Sequence, residues 1–353
     1  MSKQLVEANL QQAVRNMLNS KHVHGAILRM ENGPGDLVWE GSAGDLQTKD
    51  RYFIASVTKL FMSAVIFGLV DEGRLKLDDR IVTFFPEGML LGLHRYKGKD
   101  LTEDITLRHL LSNTSGIPDY FSQKSPEGSS AAASLMAGED QPWGLEQTLA
   151  AAKSMTPRFY PGQPGKVQYS DTNYQLMGKI VENVTGKSMP QVFQERLMDP
   201  LGLKDTYAYQ DLTDTTPRKL YYNVSQIHLP RYIASITAEG GIVSTAKDCM
   251  VFLKAFFAGR FFDRKHLEAM KDWRLIFFPG QFYFGLGLEK LWIPRIASPF
   301  KPVGDVLGFW GQSGAFAFHN PQKDLFFTGT VNQLSGRGHS AAFKAMLKIL
   351  KSA

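Results

Sequence analysis

The sequence predicts an α+β protein in which an antiparallel sheet is flanked by the N- and C-terminal helices and joined to an all-helical lobe. Both ends of the chain combine an amphipathic helix with strand-like segments, whereas the middle reads mostly as helices and loops. The simplest packing joins the two ends in one sheet. We therefore expect a discontinuous α/β lobe of residues 1–75 and 240–353 and a mostly helical lobe of residues 76–239.

The N-terminal elements are a helix, two strands and a buried helix. Residues 1–19 are polar, with apolar side chains on one face of a helix. Strand-like segments follow at residues 24–30 and 37–40, and a turn of Asn, Gly and Pro separates them. The helix that ends near Asp71 is apolar almost all round, so we expect it in the middle of the molecule.

The remaining elements are a lid, further strands and a terminal helix. An insertion near residues 120–155 contains a loop rich in Gly, Ser and Ala, which we expect to act as a flexible cover. A helix follows Ala246, and a second amphipathic helix ends the chain. Between these helices we expect strands at residues 283–288, 315–318 and 325–331.

Composition excludes several classes of protein. Hydrophobic residues make up 43% of the 353 residues and charged residues 21%, as in ordinary globular proteins. The single cysteine, Cys249, excludes an intrachain disulfide framework and a cysteine-rich zinc site. The net charge of +6 comes from basic residues scattered among acidic ones, so we expect no nucleic-acid partner.

Location follows from what the sequence lacks. The longest strongly apolar stretch, residues 60–70, is shorter than the roughly 20 residues that span a bilayer. The N-terminus shows no apolar signal core with a cleavage site. We therefore expect a cytoplasmic protein without a membrane span, with a periplasmic or secreted location left open if a signal peptide was removed.

The pattern Ser-x-x-Lys occurs at Ser56, Ser244 and Ser298. Ser244 is typical of a helix N-cap, and Ser298 lies in a proline-containing loop. Ser56 begins the most apolar helix, and Lys59 lies on the same face one turn later. Burial and the helix dipole disfavour a charged amine there, so Lys59 could act as a base for the serine. The alternative is a capping serine beside a lysine that reaches solvent.

Other segments favour the catalytic interpretation. Residues 53–59, 106–118, 169–174, 240–248 and 311–314 match known signatures in order. Together they resemble the serine β-lactamase and penicillin-binding-protein superfamily, specifically its class C β-lactamase-like branch. That branch includes D-Ala-D-Ala carboxypeptidases, D-aminopeptidases and carboxylesterases. The resemblance extends over about residues 22–350 and implies a β-lactamase-like fold.

The resemblance also implies roles for individual residues. Ser56 would be the acylated nucleophile, and Lys59 and Tyr169 would transfer its proton and protonate the leaving group. The backbone N–H groups of Ser56 and Ala315 would form the oxyanion hole. No metal ion or organic cofactor is required by this chemistry.

The candidate substrate-binding residues depart from the usual pattern. Asp171 stands where Asn is usual, and Gln312 stands where Lys or His begins the element that continues with Ser313 and Gly314. The pocket thus loses a possible positive charge and gains a possible negative one. We expect carboxylate-bearing substrates to bind less well, and a substrate with a free amine to gain from Asp171. Two residues near the last strand could restore positive charge, Arg337 and His339.

Asp171 has a second expected effect. A carboxylate near Lys59 favours the ammonium form, so Tyr169, or a concerted Tyr–Lys arrangement, becomes the better candidate for proton transfer. An alternative register uses Asn173 as the polar contact but disturbs the spacing from Tyr169. One further departure is Asn113, which stands where His is usual.

We expect a serine hydrolase that forms an acyl-enzyme with a small ester, amide or peptide-like substrate. One alternative is a β-lactamase or D,D-carboxypeptidase. The other is a non-catalytic binding protein that retains the fold. The sequence leaves the oligomeric state open.

Overall fold

A computed structural model describes residues 3–126, 128–277, 282–297 and 302–352. Its α-helices are α1 Lys3–Met17, α2 Thr58–Asp71, α3 Leu107–Leu111, α4 Ala131–Met136, α5 Leu145–Ser154, α6 Asp171–Thr185, α7 Met189–Phe193, α8 Asp199–Leu201, α9 Pro230–Ser235, α10 Ala246–Phe257, α11 Lys265–Ala269 and α12 Arg337–Ser352. Its strands are β1 Gly25–Asn32, β2 Val38–Gly44, β3 Tyr52–Phe53, β4 Arg95–Tyr96, β5 Lys99–Asp100, β6 Tyr207–Ala208, β7 Leu220–Tyr222, β8 Ser225–Ile227, β9 Ile242–Ser244, β10 Arg274–Phe277, β11 Phe282–Phe284, β12 Glu289–Leu291, β13 Val306–Trp310, β14 Ala315–Asn320 and β15 Leu325–Thr330.

The main sheet joins the two ends of the chain. Its strand order is β10-β11-β12-β13-β14-β15-β1-β2, with antiparallel pairing throughout. β1 pairs with β15, with Ile27 opposite Thr330. The sheet expected from the two ends is therefore present.

Each face of the sheet packs against different helices, because successive side chains of a strand point to opposite faces. On β14, Phe316 and Phe318 belong to the hydrophobic cluster that contains Val14 of α1 and Met346 of α12. The alternate residue Ala317 belongs to the cluster that contains the side chains of α2 and α10. The terminal helices thus cover one face, and α2 lies beneath the other.

Helix α2 lies in the middle of the molecule, as its composition predicts. Its residues from Thr58 to Leu69 are all buried. The ring of Phe61 stacks on that of Phe252 in α10, with centroids 3.6 Å apart. Because this helix is packed on every side, the residues at its N-terminus are held in fixed positions.

The middle of the chain contains helices α3 to α9 together with short strands. β4 pairs with β5, β7 pairs with β8, and β6 joins β3 and β9 in a three-stranded sheet. A purely helical middle is therefore too simple a description. Strands of two or three residues leave no measurable alternation in the sequence, so pattern reasoning does not find them.

The strand expected at residues 283–288 is shorter in the structure. β11 ends at Phe284, and the chain turns before β12 begins at Glu289. Gly285 packs closely on the carbonyl of Met270, since a Cβ at Gly285 would lie 1.8 Å from that oxygen. Gly287 has a φ of 67°, which is accessible to glycine at no steric cost. Within the described ranges, no helix combines the length and apolar character needed to cross a bilayer.

Candidate active site

Ser56 lies in a single 3-10 turn, Ala55–Val57, that leads directly into α2. The preceding β3 pairs with β9, which fixes the entry to this turn. Ala55 has a φ of 45°, a conformation that costs a non-glycine residue about 1–3 kcal/mol. Ser56 itself is half-buried and lines a cavity. The backbone is thus strained where it presents this hydroxyl to the cavity.

Lys59 lies one turn into α2, as the spacing predicts. Its side chain is 1% exposed, and Nζ donates to Ser56 Oγ at 2.9 Å and to the carbonyl of Glu239 at 2.8 Å. Nζ also lies 2.7 Å from Oδ1 of Asp171, without the alignment of a hydrogen bond. The amine therefore contacts the serine and a carboxylate at the same time.

Tyr169 reaches the same hydroxyl from the segment before α6. Its phenol donates to Ser56 Oγ at 2.9 Å, and Lys59 Nζ lies 5.2 Å from the centre of its ring. Burial, reinforced by the carboxylate of Asp171, raises the pKa of Tyr169 well above its usual value. The group is thus a phenol at neutral pH and is suited to donate a proton.

Asp171 is the first residue of α6 and also lines the cavity. Its backbone N–H donates to Oδ1 of Asp119 at 2.8 Å. Asp119 is 1% exposed, and burial together with the charge of Asp171 raises its pKa to about 6. The carboxyl groups of Asp119 and Asp171 therefore lie near one another at the start of α6.

The alternative register through Asn173 does not match the structure. The side chain of Asn173 is fully buried, donates to Oδ1 of Asn113 at 3.0 Å and accepts from Ser115 Oγ at 2.8 Å. Asn113 also accepts the backbone N–H of Ser170 through Oδ1 at 3.2 Å. Asn113 and Asn173 therefore hold the segment that carries Tyr169 from behind, outside the cavity wall.

The element at residues 311–315 forms the turn between β13 and β14. The exposed side chain of Gln312 donates to the carbonyl of Leu334 at 2.8 Å. The buried hydroxyl of Ser313 donates to the carbonyl of Phe53 at 2.6 Å, which ties this turn to the nucleophile segment. Both residues line the cavity. Ser313 thus links this turn to the nucleophile segment and also lines the cavity.

Gly314 and Ala315 complete this turn behind the wall. Gly314 has a φ of 86°, and a Cβ there would lie 2.7 Å from Val331. Ala315 begins β14 opposite Thr330 and is 1% exposed. Its backbone N–H makes a long contact of 3.4 Å with Ser313 Oγ, so the donor expected in the oxyanion hole is only weakly engaged.

The two cations considered as replacements for Lys or His lie outside the cavity wall. His339 donates through Nε2 to the carbonyl of Gly311 at 2.8 Å and packs on Trp310. Burial lowers the pKa of His339, which keeps the ring neutral. Arg337 begins α12 and does not line the cavity. Neither residue supplies a positive charge to the described part of the pocket.

The cavity has a volume of about 70 Å³ and a mostly apolar wall. Most of these apolar residues gave no signal in the sequence, because they come from separate loops and short helices. Phe121, Leu135 and Met136 belong to the insertion expected to form a lid. The other large apolar side chains are Phe53, Leu220, Leu229, Tyr232, Ile233, Ile236 and Leu334.

The Ser-x-x-Lys pattern at Ser244 does not form such a site. Ser244 lies in β9, and its hydroxyl contacts that of Thr206 at 2.7 Å. The N-cap of α10 is Thr245, whose side chain accepts from the N–H of Asp248. The capping residue is therefore the one after Ser244, whereas the sequence predicts Ser244 itself. Ser298 lies outside the described residues. In the ranges that are described, no cluster of three or more His, Cys, Asp or Glu could hold a metal ion.

Comparison with known proteins places the chain in a family. The model of the Beta-lactamase family matches residues 10–351. The D-alanyl-D-alanine-carboxypeptidase/endopeptidase AmpH of Escherichia coli K12 is 28% identical over 237 residues. The match covers 67% of this chain and 56% of AmpH, so the chain spans little more than half the length of that curated relative.

Solved structures show the same fold. A D-stereospecific amidohydrolase from Streptomyces sp. is 27% identical with a TM-score of 0.78, and the match covers 96% of this chain and 98% of that one. The D-amino acid amidase from Ochrobactrum anthropi SV3 is 23% identical with a TM-score of 0.76 and coverage of 98% and 100%. The expected β-lactamase-like fold is confirmed, and the chain belongs to the Beta-lactamase family.

Proposed function

We propose that the protein is a serine hydrolase that cleaves carboxylic esters or amides through an acyl intermediate on Ser56. One observation carries this proposal: the hydroxyl of Ser56 lies 2.9 Å from both Lys59 Nζ and the phenol of Tyr169. A nucleophile with two proton-transfer groups in contact is the arrangement that nucleophilic catalysis requires. Ser56 also reaches the cavity in which a substrate carbonyl would lie.

Acylation follows from these contacts. Oγ of Ser56 attacks the carbonyl carbon, and its proton passes to the amine form of Lys59 in concert with Tyr169. The backbone N–H groups of Ser56 and Ala315 would stabilise the oxyanion. The bond to the leaving group then breaks as Tyr169 supplies a proton to the departing oxygen or nitrogen, and the ammonium of Lys59 passes the serine proton on to Tyr169, which restores the phenol and the amine. Water hydrolyses the acyl-Ser56 ester by the reverse sequence, which releases the acid.

Two contacts bear on the proton transfer. Oδ1 of Asp171 lies 2.7 Å from Nζ of Lys59, so the amine is shared between this carboxylate and Ser56. The raised pKa of Tyr169 disfavours a free phenolate. These two facts support the concerted Tyr–Lys arrangement.

The cavity wall supports an uncharged or amine-bearing substrate with an apolar group. Among its described residues only Lys59 is basic, and this charge is already paired with Asp171. A substrate carboxylate would approach Asp171 without a free cation to offset the repulsion. The apolar wall would bind a hydrocarbon group through the hydrophobic effect. Amide or peptide substrates are named for the relatives.

The test is hydrolysis of a short-chain p-nitrophenyl ester by the wild type and by Ser56→Ala. We expect the variant to lose at least 1000-fold of the activity, a rough figure typical of removing a nucleophile. Ser154→Ala, an exposed serine of α5, is the matched control and should retain full activity. Equal rates for wild type and Ser56→Ala would contradict the proposal.

The relatives supply a second candidate function, a β-lactamase or D,D-carboxypeptidase. Efficient turnover of nitrocefin or of a D-Ala-D-Ala peptide would favour it over the ester and amide activity. The third alternative, a binding protein, predicts no adduct on Ser56 with a fluorophosphonate. A mass increase on Ser56 would exclude it.

We retain three further predictions with this proposal. The segments 1–75 and 240–353 would form one lobe and residues 76–239 the other, with the site between them. The protein would act in the cytoplasm, or in the periplasm or outside the cell if a signal peptide is removed from it. It would bind no nucleic acid.

A further inference from the structure

Glu239 is a buried carboxyl group in the wall of the cavity that also contains Ser56. Its exposure is 2%, and the hydroxyl of Tyr120 donates to Oε1. The second oxygen, Oε2, is buried and has no hydrogen-bond partner among the described residues. Buried polar atoms are usually paired, so an unpaired carboxyl oxygen on a residue that lines the cavity calls for a ligand.

The carboxyl group is held in place. Tyr120 is fully buried, its ring stacks on Trp143 with centroids 4.9 Å apart, and its backbone N–H donates to Thr172 at 3.1 Å. The backbone of Glu239 is fixed by Lys59, whose Nζ donates to its carbonyl oxygen at 2.8 Å. A group fixed at its backbone and at one oxygen is well placed to select a ligand, because little entropy is lost on binding.

Glu239 lies near the amine of Lys59, whose charge is already paired with Asp171. Burial and the nearby Asp171 raise the pKa of Glu239 well above its usual value. A cation that entered the cavity would stabilise the ionised carboxylate and satisfy Oε2. The nearby carboxyl group of Asp119 contributes a further negative charge that acts on Glu239. The carboxyl groups of Glu239, Asp171 and Asp119 would attract a substrate ammonium group and repel a substrate carboxylate.

We infer that Glu239 is a specificity-determining residue that binds a protonated primary amine of the substrate. The preferred substrate would then be an ester or amide of an acid that carries both an amine and an apolar group, the latter in contact with Ile233 and Ile236. On binding, the ammonium pairs with the carboxylate, and the proton previously held by Glu239 passes to water. This inference rests on the proposed acyl transfer at Ser56.

The first experiment compares the methyl esters of D- and L-leucine with methyl 4-methylpentanoate, which has the same carbon skeleton without the amine. We expect the wild type to show a kcat/KM at least tenfold higher for one leucine ester. Glu239→Gln keeps the acceptor for Tyr120 and should lower kcat/KM for that ester at least tenfold, mainly through KM. The loss of kcat/KM on the deaminated ester should be at least fivefold smaller than the loss on the leucine ester.

The control variant is Glu40→Gln. Glu40 lies on β2, outside the cavity wall, and likewise has a buried, unpartnered oxygen. It should change neither substrate's kinetics. Equal wild-type rates on the two kinds of ester, or an equal loss on both in Glu239→Gln, would overturn the inference and leave the serine hydrolase intact. Failure of the wild type to hydrolyse any of the esters would instead contradict the proposed function.

A second measurement needs only the wild type and so does not depend on the folding of a variant. We expect 3-methylbutylamine to inhibit hydrolysis of methyl 4-methylpentanoate competitively, with an inhibition constant at least tenfold lower than that of 3-methylbutanol. Equal inhibition by the amine and the alcohol would overturn the inference, because the two differ only in the group that Glu239 would bind.

Discussion

Oδ1 of Asp171 lies 2.7 Å from Nζ of Lys59, the same amine that donates to the hydroxyl of Ser56 at 2.9 Å. The carboxylate therefore competes with the nucleophile for the lysine. An amide at this position would offer an oxygen to the amine without a charge. The identity of this one side chain thus sets the charge that Lys59 and a bound substrate meet.

Asp171→Asn should raise the activity toward a carboxylate-bearing ester relative to a neutral ester. Loss of the carboxylate removes the repulsion that Asp171 exerts on a negatively charged substrate in the cavity. We expect the ratio of the two kcat/KM values to rise about tenfold, as removal of a like charge a few Å away permits. The measurement is kcat/KM for a short-chain ester and for the same ester with a terminal carboxylate.

Asp205→Asn is the control for the change of charge. Asp205 forms an exposed ion pair with Arg51 on the surface, so its loss should leave the ratio unchanged. An unchanged ratio in Asp171→Asn would show that this carboxylate does not repel a charged substrate.

Tyr169→Phe should affect poor leaving groups more than good ones. The phenol that donates to Ser56 Oγ at 2.9 Å is the proposed proton donor to the leaving group. We expect kcat/KM for an amide or alkyl ester to fall by about 10²–10⁴, the usual value of general acid–base catalysis. A p-nitrophenyl ester, whose leaving group needs no proton, should lose less.

Tyr174→Phe is a matched control for this change. Tyr174 is fully buried, its ring lies 4.9 Å from Lys59 Nζ, and its hydroxyl has no hydrogen-bond partner among the described residues. Removal of that hydroxyl should leave the activity nearly unchanged. Equal losses for both kinds of leaving group in Tyr169→Phe would argue against a proton-donor role.

Asn113→Ala should destabilise the protein and disorder the segment that carries Tyr169. Oδ1 of Asn113 accepts from Ser170 at 3.2 Å and from Asn173 at 3.0 Å, and its φ is 57°. Each buried donor left unpaired costs about 1–3 kcal/mol, and alanine adds strain at a positive φ. The measurements are the free energy of unfolding and kcat/KM.

Asn113→Gly separates the two causes. Glycine tolerates the backbone conformation but still lacks the acceptor oxygen. It should recover part of the lost stability and little of the lost activity. Full recovery of both would show that only the backbone conformation matters at this position.

Glu289→Gln should make the free energy of unfolding fall less steeply as the pH rises. Burial raises the pKa of Glu289 to about 8, although its carboxylate accepts the N–H of Trp310 at 2.9 Å. The folded protein therefore holds this proton more tightly than the unfolded chain. The resulting stabilisation is complete below the unfolded pKa near 4.5 and is lost as the pH rises through about 8.

The difference in free energy of unfolding between wild type and Glu289→Gln should fall by up to about 1.4 kcal/mol per pH unit across that window. Urea unfolding between pH 4 and pH 9 measures it. Glu268→Gln, whose side chain is 76% exposed, is the control and should give a constant difference. A constant difference for Glu289→Gln as well would contradict the assignment.

The sequence by itself determined the elements whose patterns are local. The apolar helix after Ser56, the spacing of Lys59 and the strands at both ends follow from side-chain periodicity, which short-range geometry translates directly into structure. The resemblance of separate motifs added Tyr169, which no local pattern connects to Ser56. It also identified Asp171 as the unusual residue of the pocket.

Only the tertiary structure decided which of these groups meet and what surrounds them. Glu239 comes to the site because its carbonyl accepts from Lys59, although 180 residues separate the two in the chain. The apolar wall is assembled from loops, short helices and short strands that share no sequence pattern. The position of His339, turned toward Gly311 and away from the cavity, is likewise a matter of packing. Contacts between distant segments depend on how buried surfaces fit together, and no local periodicity encodes that fit.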